Sequence, residues 1–106
     1  MQEKIKSLIG FALRARKFAL GESVISLGRN KKIKLALLAT NASETTKKKY
    51  RDKLNYYHIP YLEYGTKEEL ASLLGKEEIS LLGLLEPNLA KEIKKLIKED
   101  ETNGLQ

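Results

Sequence analysis

At 106 residues, with 42% hydrophobic side chains, the chain has the size and composition of one folded domain and not of a disordered tail. It contains no cysteine, which excludes disulfides and thiolate metal sites. No apolar run is long enough to span a membrane, and the N-terminal segment lacks the apolar core of a signal peptide, so we expect a cytoplasmic protein.

The net charge of +6 is unevenly distributed along the chain. Residues 1–58 contain 14 basic and 4 acidic side chains, whereas residues 59–106 contain 6 basic and 10 acidic ones. Such a split suggests one face that meets a polyanion and another that is only solvated. Many lysine-rich faces bind nothing, but the asymmetry favours nucleic acid as the partner.

The first half of the chain alternates between helical and extended patterns. Apolar side chains recur at helical spacing before Arg14, and the dipole of that helix favours cations at its end. Gly21 interrupts the next apolar segment, and Gly28 weakens the following helix by about 1 kcal/mol relative to alanine. The patterns predict a helix over residues 2–14, a small edge strand over 18–20, a helix over 22–29 and a strand buried on both faces over 35–39.

The second half continues this alternation, with recognisable helix ends. Ser43 is a natural N-cap, and Thr66 followed by Glu69 has the sequence of a capping box. Gly75 is typical of a helix C-terminus, and Pro87 of a first helical turn. The predicted elements are a helix over 43–56, a strand over 61–64, a helix over 67–74, a strand over 79–85, and a final helix with the buried stripe Leu89, Ala90, Ile93, Leu96 and Ile97. We expect the polar tail, residues 98–106, to fray.

The order of these elements predicts a single domain of the α/β class. We expect a three-layer α/β/α sandwich around a small mixed sheet in which most strands are parallel. In open α/β sheets, ligands bind beyond the carboxyl ends of the strands. Here that place holds Asn41 and Ser43, close in sequence to several lysines, so an anionic ligand is the first hypothesis.

Residues that could support catalysis are few. The single histidine, His58, precedes Pro60 in a helix-to-strand turn, and adjacent carboxylates such as Glu77 and Glu78 do not share a helix face. The chain has no HExxH, GxSxG, P-loop or GxGxxG pattern. We therefore expect no enzymatic activity, no catalytic or metal-binding residues and no cofactor.

The start of the second predicted helix is a better candidate for a binding site. Gly21, Glu22 and Ser23 offer backbone N–H groups and a hydroxyl for phosphate or base-edge contacts, although an ordinary helix start has the same residues. Basic residues precede and follow this segment and would form a frame that holds phosphates. These residues are Arg14, Arg16, Lys17, Arg29, Lys31, Lys32 and Lys34. A further basic run at residues 47–51 either extends this frame or is simply solvated.

Four sequence blocks resemble a known family. The blocks are IGFALRARKFALGES, KLALLATNASETTKKK, YYHIPY and GTKEELASLLGK, and an apolar strand and a helix follow them. Together they are similar to the YlxQ-like bacterial members of the kink-turn-binding ribosomal-protein superfamily. The similarity spans roughly residues 5–96.

This resemblance implies a three-layer α/β/α fold and structured RNA, with ribosomal RNA as a candidate, as the partner. In the family, the start of the second helix enters the major groove of a kinked RNA, where polar side chains read sheared G·A pairs. The matching positions here are Gly21, Glu22 and Ser23. A second contact comes from the loop before the last strand, residues 75–79, where Ile79 would pack on an extruded base.

The chain departs from the stronger RNA binders of this superfamily in the same helix. Those proteins have a Gly-x-Asn-Glu sequence with a lysine three residues after the glutamate. Here Ser23, Val24 and Leu27 occupy the asparagine, glutamate and lysine positions. A contact between a carboxylate and guanine is therefore left to Glu22.

Three functions are compatible with these observations. The first is a non-enzymatic, monomeric RNA-binding protein in which Glu22 and Ser23 read base edges, with Asn41 and Ser43 beside them. In this hypothesis phosphates are held by Arg16, Lys17, Arg29, Lys31, Lys32 and Lys34. The second is a protein-interaction module on the same fold, which uses the surface of Tyr56, Tyr57 and Tyr61. The third and weakest is an enzyme that acts on a phosphorylated substrate at residues 40–43.

Overall fold

The computed structural model describes residues 1–104, with the side chains of residues 1–101. Within them the element order is α1 (Glu3–Arg14), β1 (Phe18–Leu20), α2 (Glu22–Arg29), β2 (Leu35–Leu38), α3 (Glu44–Tyr56), β3 (Tyr61–Glu63), α4 (Lys67–Ser72), β4 (Leu81–Leu84) and α5 (Pro87–Gly104). Every predicted element is present in the predicted order, with ends that shift by a few residues. None of the helices in this part of the chain is long and apolar enough to cross a bilayer.

The four strands form one mixed sheet in the order β1-β4-β2-β3. The expectation of a mixed sheet is confirmed, but the expectation that most strands pair in parallel is wrong. Only β2 and β3 are parallel, whereas β4 is antiparallel to both β1 and β2. The reason is that α4 is only six residues long, and the segment after it returns the chain to the edge where β3 ends. The Ala39 N–H donates to the Ser80 carbonyl oxygen at 2.9 Å, which places the start of β4 beside the end of β2.

Helices cover both faces of the sheet, as the predicted three-layer sandwich requires. Leu35 and Leu37 of β2 pack with residues of α1, α4 and α5, whereas Ala36 and Leu38 pack with residues of α2 and α3. All four side chains are at most 1% exposed. Each fully buried leucine contributes roughly 1.5–3 kcal/mol relative to an exposed one, so this strand anchors both halves of the core.

The predicted helix caps are present. The Ser43 hydroxyl accepts the Thr46 N–H at 3.1 Å at the start of α3. At the start of α4, Thr66 and Glu69 form the reciprocal capping box. Gly75, after α4, has a φ of +66°, the left-handed conformation that commonly ends a helix.

The final helix is longer than its apolar stripe. The stripe residues Ala90, Ile93, Leu96 and Ile97 are buried, and Leu89 is half-buried. Helix α5 continues to Gly104, through most of the segment that the sequence predicts to fray. Fraying of that segment stays a prediction, and residues 105–106 lie outside the described residues.

Gly28 has a packing role in addition to its low helix propensity. A Cβ atom at this position would lie 2.2 Å from Cδ1 and 2.7 Å from Cγ1 of Ile59, much closer than side chains approach in proteins. Ile59, just before β3, is 4% exposed. The glycine therefore lets α2 approach the turn that connects α3 to β3.

The strand directions define two edges of the sheet. We call the edge where β1, β2 and β3 end and β4 begins the upper edge, and the opposite one the lower edge. At the upper edge, the Gly21 N–H donates to the Leu81 carbonyl oxygen at 3.0 Å. At the lower edge, the Lys34 N–H donates to the Leu84 carbonyl oxygen at 2.8 Å, and the Leu85 N–H donates to the Lys17 carbonyl oxygen at 3.0 Å.

Candidate functional site

The predicted RNA-contact residues fall into two groups at opposite edges of the sheet. The upper group consists of Gly21, Glu22, Ser23, Asn41, Ser43 and Ile79, and the lower group of Arg16, Lys17, Arg29, Lys31, Lys32 and Lys34. The two groups are separated because α2 carries the chain from one edge to the other. Its eight residues span about 12 Å. The basic residues on either side of the start of α2 thus do not form one frame around it.

The start of α2 is open towards solvent. Gly21 has φ +55° and ψ −128°, a conformation that only glycine adopts readily, and no side chain caps the helix. The Val24 N–H donates to the Gly21 carbonyl oxygen at 3.0 Å, and Ser23 is exposed. The first N–H groups of the helix and the Ser23 hydroxyl are therefore suited to contact an anion or a base edge.

Glu22, in the first turn of α2, is held by two lysines of α3. Its carboxylate lies 2.7 Å from Nζ of Lys49 and 3.3 Å from Nζ of Lys53. The hydrogen bond from Lys49 is the main cause of a pKa of Glu22 below the usual value, and Lys53 acts in the same direction. Glu22 is thus charged at neutral pH, and a guanine contact by its carboxylate has to compete with these ion pairs or be shared with them.

A surface cavity of about 260 Å³ lies between the start of α2 and the loop before β4. Its lining residues are Leu20, Gly21, Tyr50, Lys76, Glu78, Ile79, Ser80 and Leu81. Ile79 is only 6% exposed, so it forms part of the cavity wall and offers little surface to a base. Glu78 is paired with Lys67 at 3.6 Å, whereas exposed Lys76 has no acidic partner among the described residues.

Two residues of this cavity, Tyr50 and Lys76, lie in segments already considered from the sequence, residues 47–51 and 75–79, but neither was singled out as a contact. Tyr50 is 8% exposed, and its hydroxyl lies 3.5 Å from the position of a Cβ atom on Gly21. The sequence does not reveal that α3 brings this tyrosine to the start of α2. Lys76 could have been chosen, since it lies in the loop that the family resemblance implies as a second contact.

The polar side chains of residues 40–43 are occupied by contacts within the protein. The Asn41 side chain accepts the Lys67 N–H at 2.8 Å and donates to the Glu68 carboxylate at 2.9 Å. The Thr40 hydroxyl donates to the Gly65 carbonyl oxygen at 3.0 Å, and Ser43 caps α3. These contacts join β2 to the start of α4, so Asn41 and Ser43 have a clear structural role at the upper edge.

The tyrosines of the protein-interaction hypothesis lie near the lower edge. Tyr56 is 76% exposed, whereas Tyr57 and Tyr61 are half-buried. The rings of Tyr56 and Tyr57 meet edge to face at 4.9 Å. Tyr56 is therefore the member of this set that presents a large apolar surface.

Comparison with known proteins identifies relatives along nearly the whole chain. The sequence pattern of the "Ribosomal protein L7Ae/L30e/S12e/Gadd45 family" matches residues 3–98. A protein of Enterococcus faecium named RNA-binding protein YlxQ is 39% identical over 98 residues, which cover 92% of this chain and 94% of that protein. A protein of Bacillus subtilis (strain 168) with the same name is 38% identical over 91 residues, 85% of this chain and 91% of that protein.

A solved structure supports the same relationship at the level of the fold. It is described as the structure of a protein with unknown function from Bacillus halodurans C, and it superposes with a TM-score of 0.82 at 33% sequence identity. The superposition covers 92% of this chain and 99% of the other. With a family pattern over residues 3–98 and relatives of 38–39% identity, the chain belongs to the L7Ae/L30e/S12e/Gadd45 ribosomal-protein family as a YlxQ-like member.

Proposed function

We propose that this protein is a non-enzymatic RNA-binding protein that recognises kinked or bulged structured RNA at the upper edge of its sheet. The observation that carries the proposal is the cavity between Gly21 and Lys76. It lies between the two segments that the family resemblance implies as RNA contacts, the start of the second helix and the loop before the last strand. Two relatives named RNA-binding proteins support the same partner.

The upper edge offers several kinds of contact to such an RNA. The uncapped N–H groups of α2 and the Ser23 hydroxyl would meet base edges or phosphates. Glu22 would accept a hydrogen bond from guanine, while Lys49 and Lys53, which it holds, would meet the phosphates beside it. Lys76 would bind a phosphate at the mouth of the cavity. Recognition would then depend on the shape of the RNA and on a few base contacts.

We extend the proposal to ribosomal RNA, since the matching family is one of ribosomal proteins. The protein would act as a monomer in the cytoplasm. Sedimentation of a cell extract at low and at high salt would test this context. Co-migration with ribosomal particles that is lost at high salt is the expected result, and migration as free protein at both salt concentrations would contradict it.

The direct test is binding to a kink-turn RNA and to a length-matched straight duplex, each at two salt concentrations. We expect the wild type to bind the kink-turn RNA more tightly than the duplex. This preference should be smaller in Ser23→Ala. In Lys76→Gln the log–log slope of the binding constant against salt concentration should be smaller by about 1. Lys94→Gln, an exposed change on α5, is the matched control and should behave as wild type. Equal affinity for both RNAs would contradict recognition of the kink.

A protein-interaction function on the same fold is the competing proposal, and the 76% exposure of Tyr56 supports it. It predicts that the protein binds neither RNA and that Tyr56→Ser abolishes capture of a protein partner. Under the RNA-binding proposal, Tyr56→Ser leaves the affinity for the kink-turn RNA unchanged, because Tyr56 lies far from the upper edge along α3.

A further inference from the structure

Six exposed cations lie along the lower edge, away from the upper-edge site. We call them the basic edge: Arg16, Lys17, Arg29, Lys31, Lys32 and Lys34. Backbone hydrogen bonds bring their two sequence segments together, because Lys17 and Lys34 lie on either side of the end of β4. Neighbouring strands are about 4.8 Å apart, so these two residues are separated by only about 10 Å across the sheet.

The cations of the basic edge have no carboxylate partners among the described residues. Nζ of Lys34 donates to the Lys31 carbonyl oxygen at 3.2 Å, and the Arg29 guanidinium lies over the Tyr57 ring at 5.2 Å. The basic residues of α3 are different, since each of five forms an ion pair. Those five are Lys47, Lys48, Lys49, Arg51 and Lys53, and their partners are Glu22, Asp52 and Glu63. The lower edge thus brings together six cations that no described carboxylate pairs with, whereas the basic face of α3 is compensated.

The helix dipoles at the lower edge offset only part of this positive charge. The C-termini of α1, α2 and α3 all lie at the lower edge, and each carries about −0.5 of an elementary charge. Glu86, the acidic residue that follows β4, caps α5 by accepting the Leu89 N–H at 2.6 Å. Together these groups offset less than half of the six positive charges and leave about +3 to +4.

Two residues of the basic edge have a backbone conformation that is unfavourable for a residue with a side chain. Arg16 and Lys31 follow the ends of α1 and α2 with φ of +58° and +60°, in the position where helices usually have glycine. A side chain in this conformation costs about 1 kcal/mol. At the upper edge the residues with positive φ are glycines, namely Gly21, Gly65 and Gly75. At the lower edge α1, α2 and α3 are each followed by a non-glycine residue with positive φ, which is a cation after α1 and α2 and His58 after α3.

A groove of about 510 Å³ lies beside the basic edge. Its rim carries Lys31 and Lys34, and the buried side chains of Ile33 and Ile59 form its floor. The groove therefore offers a concave surface with two cations beside it, a combination suited to a sugar–phosphate backbone.

We propose that the basic edge binds the sugar–phosphate backbone of a second RNA segment, so that the protein holds two RNA segments at opposite edges of its sheet. The contact uses charge and not base edges, so it is independent of RNA sequence and strongly dependent on salt. The claim that the protein holds two RNA segments rests on the proposed RNA-binding function of the upper edge. The claim that the lower edge binds an RNA backbone does not depend on it.

The test uses two triple variants of the full chain. The basic-edge variant combines Lys17→Gln, Lys32→Gln and Lys34→Gln, and it keeps the two residues with positive φ. The control variant combines Lys91→Gln, Lys94→Gln and Lys95→Gln, which remove the same charge from exposed positions of α5. Each protein is saturated with kink-turn RNA, and a fluorescent straight duplex is then added while its anisotropy is measured.

We expect the wild type and the control variant to form a complex with both RNAs. The basic-edge variant should keep its one-to-one complex with kink-turn RNA and bind the duplex more weakly, with a salt slope for duplex binding smaller by about 3. If the wild type shows no preference for kink-turn RNA over the duplex and only the basic-edge variant loses duplex binding, the upper-edge function fails and the lower-edge site stands.

Three results would overturn the inference. The first is a wild-type protein that never binds the duplex, including the case in which the basic edge instead captures an acidic protein. The second is an equal loss of duplex binding in both triple variants, which would indicate an effect of net charge alone. The third is a loss of kink-turn binding in the basic-edge variant as large as its loss of duplex binding, which would indicate one continuous surface.

Discussion

The Glu22 carboxylate lies 2.7 Å from Nζ of Lys49 and joins the first turn of α2 to α3. The same carboxylate also lies 3.3 Å from Nζ of Lys53, so it pairs with two cations near the open start of α2 and offsets one of their two charges. The same carboxylate is the one available for a base contact. Under the proposed function, Glu22 would limit non-specific attraction to phosphates and would accept a hydrogen bond from guanine.

The variant Glu22→Gln should separate these two effects. We expect affinity for a straight duplex to rise, with a salt slope steeper by as much as about 2, because Lys49 and Lys53 become free to meet phosphates. The preference for kink-turn RNA should fall. Glu44→Gln is the control, since it removes the same charge from the first turn of α3 and Glu44 has no ion pair with any described residue. If Glu22→Gln has the same salt slope as the wild type, the Glu22 carboxylate does not keep Lys49 and Lys53 away from phosphates.

A second prediction concerns the contact between Gly28 and Ile59. Gly28→Ala should destabilise the protein by roughly 1–3 kcal/mol in chemical denaturation, because the new methyl group would overlap the Ile59 side chain. Combining it with Ile59→Val, which removes Cδ1, should recover part of the loss.

Gly10→Ala is the control for this change, since Gly10 lies in α1 and a Cβ atom there would meet only the flexible end of Arg14. It should leave stability unchanged or raise it by up to about 1 kcal/mol, in line with helix propensity. If the Gly28→Ala protein is as stable as the Gly10→Ala protein, α2 can shift away from Ile59 at little cost and the close approach is not required.

A third prediction separates structure from RNA contact at Asn41. Asn41→Ala should lower the free energy of unfolding by about 1 kcal/mol, because the Lys67 N–H at the start of α4 loses its acceptor. Affinity for RNA should stay the same at temperatures where the variant is folded. Asn55→Ala, at an exposed site in α3, is the control. A loss of RNA affinity without a loss of stability would instead make Asn41 a direct contact.

A fourth prediction concerns acid stability. The pKa of Glu69 lies below its usual 4.5, chiefly because of the hydrogen bond from the Met1 ammonium and then because of the Thr66 N–H. Since folding lowers this pKa, the group stabilises the protein above the unfolded value, and that contribution is lost as pH falls through the lower folded value. Chemical denaturation at several pH values should therefore show that the free energy of unfolding falls as the pH drops below about 4.5. The fall should be smaller in Glu69→Gln than in the wild type.

The matched control for this pH series is Glu77→Gln, an exposed change in the loop after α4. The free energy of unfolding of Glu77→Gln should fall with decreasing pH in the same way as that of the wild type. The Glu69 side chain is 38% exposed, so solvent screening keeps the difference small, at most about 1 kcal/mol. Identical pH profiles for all three proteins would mean that the capping box, and not the charge, is what Glu69 provides.

Features set by neighbours in sequence were predictable, whereas features set by distant contacts were not. The caps at Ser43 and Thr66 depend on residues three positions apart, and they are present as predicted. The direction of β4 depends on how a short helix and its following loop cross the sheet, and alternation of helix and strand does not encode that path. The role of Gly28 depends on Ile59, thirty-one positions away, so the sequence indicated only a weak helix.

The candidate site shows the same limit. Residues before and after the start of α2 are close in sequence, which suggested one frame for phosphates. A strand followed by an antiparallel helix returns the chain to its starting edge, so Lys17 and Arg29 lie together while Ser23 lies across the sheet from both. Sequence patterns supplied the candidate residues, but the sheet order was needed to divide them into an upper and a lower group.

The position of β4 between β1 and β2 has a consequence for synthesis on the ribosome. Within the described residues β1 pairs with β4 alone, with Ala19 opposite Gly83, so its ladder joins residues more than sixty positions apart. The first three strands therefore cannot close into the native sheet until residues 81–84 have left the exit tunnel. We expect β1, β2 and β3 to lack their native sheet while β4 is still inside the tunnel, so that sheet formation is a late step of synthesis.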